Sequence, residues 1–176
     1  TILGSLSEMS TLENIGDDMG KIDFVTSFGG IHHIVDIEGK NSQKMMFEHV
    51  SKVLKKGGRF VAADVSANTP LSNWFESIVK KYCLTGHEEK WLSPERLQGE
   101  LIANTDLRYV RSEIIPLQWI FETKNNMAMF MKALNALDLT NEEIVEKLAT
   151  VLGFEERANK VYLNWPMIFF HLEKAK

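Results

Sequence analysis

Asp23-Phe24-Val25-Thr26-Ser27-Phe28-Gly29-Gly30-Ile31-His32-His33-Ile34-Val35-Asp36 is the stretch on which the reading of the fold turns. Ile22 to Phe28 is a short run of apolar, aromatic and β-branched residues that stops at a glycine pair, the pattern of a buried strand. A helix is expected from about Asn41, with Met46, Val50, Val53 and Leu54 on one face. Its last turns would carry Lys52, Lys55 and Lys56, where cations complement the helix dipole, and Gly57 would stop it. Arg59 to Val65 reads as a second buried strand. Strand, helix, strand with two nearly continuous apolar runs makes a parallel βαβ unit covered on both faces. Both strands end at residues suited to a site, Gly29-Gly30 and Asp64, and ligands of open parallel sheets lie outside the carboxyl ends of the strands.

Beyond this unit the pattern changes. Trp74, Ile78, Val79 and Tyr82 recur at helical spacing. Ser93-Pro94-Glu95 opens a helix running to about Ala103, with Ser at the cap and Pro in the first turn. Leu107 to Phe121 is a long strand interrupted at Pro116, which suits a bulge or a sheet edge. Two helices follow, the first marked by Met127, Phe130, Met131, Leu134 and Leu137, the second opened by a capping box, Thr140-Asn141-Glu142-Glu143. The last strand is expected over 161–172. There are no internal repeats and no linker long enough to separate domains.

Composition narrows the function. The 176 residues hold 20 Lys plus Arg against 24 Asp plus Glu, a net charge of −4, without the basic footprint of a nucleic-acid protein. The single cysteine, Cys83, cannot close an internal disulfide and is expected as a reduced thiol in a cytoplasmic protein. Apolar runs such as Ile114 to Phe121 are too short for a bilayer, so no membrane partner is expected. No G-x-G-x-x-G follows a strand, which leaves a nicotinamide dehydrogenase without support.

The order of these signals resembles the class I S-adenosylmethionine-dependent methyltransferases. Asp23 to Asp36 is similar to that family's fourth-strand motif, an acid opening an apolar strand, then a short loop and an apolar-His-apolar step. Val53-Leu54-Lys55-Lys56-Gly57-Gly58-Arg59-Phe60-Val61 resembles its Leu-Lys-Pro-Gly-Gly turn into strand five, with Lys56 where Pro is usual. Asp64 matches the acid that often ends that strand, Ser93 to Val110 the helix and start of strand six, and Leu163 to Lys174 the final strand. The resemblance implies an α/β fold, a three-layer Rossmann-like sheet with strands four to seven present. The last strand would be antiparallel, and a helical insertion at 123–153 would lie between strands six and seven. It treats 1–176 as one partial methyltransferase domain lacking strands one to three. At roughly 30 residues per βαβ unit, on the order of 80–100 residues with the Gly-rich turn would lie upstream of Thr1 or on another chain. Strand four would then be an exposed apolar edge, open to self-association.

The implied activity is methyl transfer from S-adenosylmethionine to a small-molecule acceptor. The alternative is a non-catalytic methyltransferase-like binding partner, or a fragment that needs another chain. By the same resemblance, Ser5 and Leu6 fall where the family contacts adenine, Ser5 replacing an acid. Ser27, Phe28 and Gly29 would face the methionine part of the cofactor, Gly29 allowing close approach. His33 matches the family's apolar-His-apolar step and is the candidate general base, histidine being the side-chain type that changes charge near neutral pH, while His32 would orient the loop. No metal is expected, because adjacent histidines seldom share one ion and no Cys or carboxylate stands at a ligand spacing. Trp74, Trp91 and Trp119 are candidate walls of the substrate pocket, against a plainer role in packing. The Met-rich helix of Met127, Met129 and Met131 suits either sheet packing or an adaptable partner face.

Overall fold

The computed structural model describes residues 16–34 and 41–175. Ser5 and Leu6 lie outside the described residues, as do Val35 and Asp36. A 3-10 turn at Gly16–Asp18 precedes β1 (Ile22–Phe28), and a second at Ile31–His33 follows it. The chain continues through α1 (Ser42–Val53), β2 (Leu54–Asp64), α2 (70–82), α3 (94–101), β3 (Leu107–Phe121), α4 (Lys124–Asn135), α5 (Asn141–Val151), β4 (Phe154–Arg157) and β5 (Lys160–Lys174). Both α2 and α3 contain a π-helical turn, Phe75–Val79 in one and Leu97–Leu101 in the other.

The sheet order is β1-β2-β5-β3, with β4 paired to β5 alone. β1 and β2 run parallel, with Val25 beside Phe60 and Phe28 beside Ala63. β5 is antiparallel to β2, with Phe60 beside Leu172 and Asp64 beside Ile168. Placed on the four strands expected from the sequence, this is the order four-five-seven-six with the last strand reversed. β3 is the edge that tolerates Pro116, a residue with no N–H for the ladder. Among the described residues β1 is the opposite edge, and it exposes Phe24 (53%) and Phe28 (66%).

The chain divides into two compact units, each assembled from separated stretches. The first holds the described residues up to Asp64, Glu89–Glu113 and those from Ile168 onward. Its core joins Met46, Phe47 and Val50 of α1 to Phe60 and Ala62 of β2, Phe170 and Leu172 of β5, and Leu97 and Leu101 of α3. Phe47 meets Phe60 edge-on at 5.8 Å. Each of the larger apolar side chains here, Ala62 excepted, contributes about 1.5–3 kcal/mol when removed from water. α1 starts at Asn41, whose side chain accepts from the Lys44 N–H at 3.2 Å.

The end of α1 corrects one expectation. The helix stops at Val53, and Lys55 and Lys56 belong to β2. Leu54 is fully buried and extended, and it pairs with Ile22, so burying that side chain outweighs one more helical turn. The step from Ile22 to Phe24 on β1 is then matched by Leu54 to Arg59 on β2, a bulge that Gly57 turns at φ +73°. Lys55 forms an ion pair with Asp23 across the bulge, and this holds the Asp23 carboxyl below its usual range.

The second unit, Val65–Glu88 with Ile114–Met167, packs α2, α4 and α5. Thr69 and Ser72 form a capping box at α2, with Pro70 in its first turn. Thr140 and Glu143 form the expected one at α5. Met127 and Met131 are fully buried, whereas Met129 stands 54% exposed, so the Met-rich helix has both a packing face and an open face. β4 is unforeseen. Ala158 and Asn159, both at positive φ (49° and 58°), turn the chain between Arg157 and Lys160 and extend the last strand into a hairpin.

Candidate active site

The parallel register brings the carboxyl ends of β1 and β2 side by side, and the candidate site lies there within the first unit. Gly29 leaves β1 at φ +65°, a conformation that favours glycine, and its N–H donates to the Ala63 carbonyl at 2.8 Å. A Cβ added at Gly30 would meet no atom within 4 Å, so there is open space beside the strand end. Ser27 is half-buried, and the exposed Phe28 ring stands edge-on to Phe169 at 6.3 Å.

Asp64, the last residue of β2, is fully buried and aims its carboxylate at the turn that follows β1. It accepts from the N–H of Ile31 at 2.8 Å and from the N–H of His32 at 3.1 Å. Its second oxygen pairs with Nδ1 of the His32 ring. This places the proton of a neutral His32 on Nδ1, as a carboxylate partner does. A buried carboxylate is costly unless hydrogen-bonded, and here three donors meet it. Gln43, on the first turn of α1, adds a second tie: its Nε2 donates to the carbonyls of Ile31 and Lys90, each at 2.9 Å. The Lys90 N–H in turn donates to the His32 carbonyl at 3.0 Å.

The two histidines take different places. His32 is buried, its ring 5.4 Å from Trp91, while His33 is exposed with its ring 3.9 Å from that of His32. His33 is thus the imidazole of the turn that faces solvent, and His32 is the one paired with Asp64. Sequence reading assigned Asp64 to the site but not its partner, and it missed Gln43 altogether. A signal for the pairing was present: Phe28 beside Ala63 puts Asp64 next to whatever follows β1.

In the second unit Trp74 is fully buried, and its ring is enclosed by packing. Trp119 is half-buried and stacks on Trp165 at 4.3 Å, with Phe130 edge-on to it at 5.0 Å. Of the two tryptophans, only Trp119 reaches the surface of its unit.

A sheet ordered β1-β2-β5-β3, with β1 and β2 parallel and β5 reversed, matches a known architecture. The fold is that of the class I methyltransferases. A protein from Bacillus halodurans assigned as a methyltransferase superposes with a TM-score of 0.57 at 16% identity, over 98% of this chain and 76% of its own. The YcgJ protein of Bacillus subtilis gives 0.57 at 15% identity, over 98% and 70%. An S-adenosylmethionine-dependent methyltransferase of Thermotoga maritima gives 0.51 at 12% identity, over 97% and 62%. At such identities the likeness is one of fold. No protein-family model matches the chain, and no curated protein matches it in sequence. Among the described residues no helix is long and apolar enough to cross a membrane.

Proposed function

We propose that the protein transfers a methyl group from S-adenosylmethionine to a small-molecule acceptor. The observation that carries this reading is the clamped turn at the carboxyl ends of β1 and β2, in a sheet with the class I methyltransferase strand order. The residues there fit such a cofactor. Gly29 at positive φ and the open space beside Gly30 permit close approach of a ligand to the backbone. Ser27, Phe28 and Gly29 would line its methionine part, with Ser5 and Leu6 assigned to adenine.

When bound, S-adenosylmethionine supplies a methyl group already activated on a sulfonium. The chain's own work is to hold the acceptor in line, roughly 3 Å from the methyl carbon, and to exclude water. His33, exposed on a turn fixed from behind, would take the proton that an amine or hydroxyl acceptor loses. With that cofactor bound, an imidazole nitrogen of His33 would receive the acceptor's proton as the methyl group is transferred.

Titration calorimetry of the longest native form of the protein with S-adenosylmethionine and S-adenosylhomocysteine tests the reading. Saturable heats support it, and their absence at millimolar ligand overturns it in favour of a non-catalytic, methyltransferase-like binding partner. One observation favours a second reading, self-association through β1: this edge strand exposes Phe24 and Phe28, and apolar edges recruit other strands. Light scattering during gel filtration would then give a dimer mass that falls to the monomer value in Phe24→Lys. A concentration-independent monomer refutes it.

A further inference from the structure

We propose that the second unit carries an oxyanion site, built around Arg157, that takes the phosphate or carboxylate group of a small molecule. The site is separate from the methyl-transfer reading and does not rest on it. It is a cavity of about 670 Å³ between the β3–α4 junction at 122–125 and the β4–β5 hairpin at 156–161. That volume is in the range of small-molecule pockets. Among the described residues that line it, the cations are Lys124, Arg157 and Lys160, and the acids are Glu122 and Glu156.

The cations are held in different ways. Lys124 meets Glu156 at 2.6 Å, and Lys160 meets Glu122 at 3.0 Å. Arg157 is held by neutral groups. Its guanidinium lies 3.9 Å from the centre of the Tyr162 ring, and Nη2 donates to Gln118 Oε1 at 3.1 Å. Gln118 Nε2 donates to Asn164 Oδ1 at 3.1 Å, and Asn164 Nδ2 donates to the Leu152 carbonyl at 3.3 Å. This chain ties a side chain that is 56% exposed back to the end of α5. The Glu155 carboxylate stands 4.0 Å from Nη1, beyond hydrogen-bond distance. A guanidinium that is stacked and tethered, with its charge only loosely matched, is preorganised for an oxyanion, which its planar donors meet in a fixed geometry.

The hairpin supplies an independent observation. Its tight turn, Ala158-Asn159, makes Arg157 and Lys160 direct partners across the two strands. Like charges placed directly opposite destabilise a sheet. Glu122 compensates Lys160, and an oxyanion shared by the two cations would compensate both.

The test is a titration of the whole protein with inorganic phosphate, glycerol 3-phosphate and succinate at constant ionic strength, read by NMR from the backbone amides and the Arg157 Nε–H. Saturable shifts are expected at the hairpin and at 122–125. Arg157→Gln should weaken binding by about tenfold or more, the order expected when a charged hydrogen-bond donor is removed. Arg157→Lys keeps the charge without the planar fork and should fall between that variant and the wild type. Lys56→Gln removes an exposed charge from the first unit and should bind like the wild type. Thermal unfolding monitors folding, and if Arg157→Gln does not fold, Lys160→Gln takes its place with the same expectation. Preference for the two phosphates identifies a phosphate ligand and preference for succinate a carboxylate, and either supports the site. Shifts that grow linearly with every anion, chloride included, or an Arg157→Gln affinity equal to wild type, overturn it.

Discussion

Gly58 sets the register that brings β1 and β2 to the site, and replacing it tests that reasoning directly. A Cβ built on Gly58 would stand 2.8 Å from the Lys55 carbonyl oxygen, 3.0 Å from the Ile22 carbonyl oxygen and 3.2 Å from Leu54 Cδ2. The two closest atoms belong to the backbone, one on each side of the bulge, so neither can rotate away. Overpacking of this kind costs about 1–3 kcal/mol. The reduced freedom of alanine in the unfolded chain returns about 0.4–1 kcal/mol. With a backbone clash the steric cost belongs at the upper end, which leaves Gly58→Ala less stable by about 2 kcal/mol, a factor of about 30 in the folding equilibrium. Gly57, one residue earlier, is the internal control. It has φ +73°, but a Cβ there would meet nothing within 4 Å. Its alanine variant bears only the left-handed backbone cost of about 1–2 kcal/mol, offset by the same entropic gain, for a net loss of about 1 kcal/mol or less. Urea unfolding followed by circular dichroism reads both. With a slope near 2 kcal/mol/M, Gly58→Ala should lower the midpoint by about 1 M and Gly57→Ala by about half that or less. A Gly58→Ala midpoint equal to wild type, or a larger drop for Gly57→Ala, would refute the claim that close approach of two backbones at the bulge fixes the register.

Two further expectations test other parts of the fold. Ala158 sits at φ +49° in the β4–β5 turn, where Asn is better tolerated, so Ala158→Asn should stabilise the protein by about 0.5–1 kcal/mol and raise Tm by about 2 °C in scanning calorimetry; a lower Tm contradicts the turn geometry. The Glu143 carboxyl is held below its ordinary range by the Thr140 backbone N–H, with the Thr140 side chain next. A depressed pKa contributes stability that is present above the unfolded value and lost as pH falls through the folded one. Glu143→Ala should therefore unfold at a lower urea concentration than wild type at pH 7, and the gap should close as the pH drops below the carboxylate range; a gap independent of pH refutes the capping-box role.

What could be read from the sequence, and what could not, follows from how far apart the deciding residues lie. β1, α1 and the apolar part of β2 declare themselves because their signals are local: a short β-branched run, a face at helical spacing, a glycine pair. The assignment to strands four to seven and the reversed last strand follow from the resemblance to the class I methyltransferases, not from a local signal. The end of α1 is different. Its lysines and Gly57 are good local stop signals, yet Leu54 leaves the helix three residues before Gly57 because a partner strand, Ile22, buries it. The hairpin at Ala158-Asn159 was illegible for a related reason. Ala is a poor turn former, and the pairing of Glu155 with Tyr162 and Glu156 with Val161 overrides its preference.

The site shows the same division at higher stakes. His33 attracts attention because it matches a local pattern, and the structure places it at the surface of the turn. The arrangement of that turn is set by residues far along the chain, 32 and 33 positions away in the case of Asp64 and 47 between Gln43 and Lys90. No periodicity links them. The parallel register does, because two strands ending side by side must place the last residue of one against the loop of the other. An acid at the end of a buried parallel strand is therefore informative only together with the identity of its neighbour's loop. In this chain the pair reads as Asp64 against Ile31-His32, so an acid and a histidine that the sequence marks separately become partners only through the parallel register.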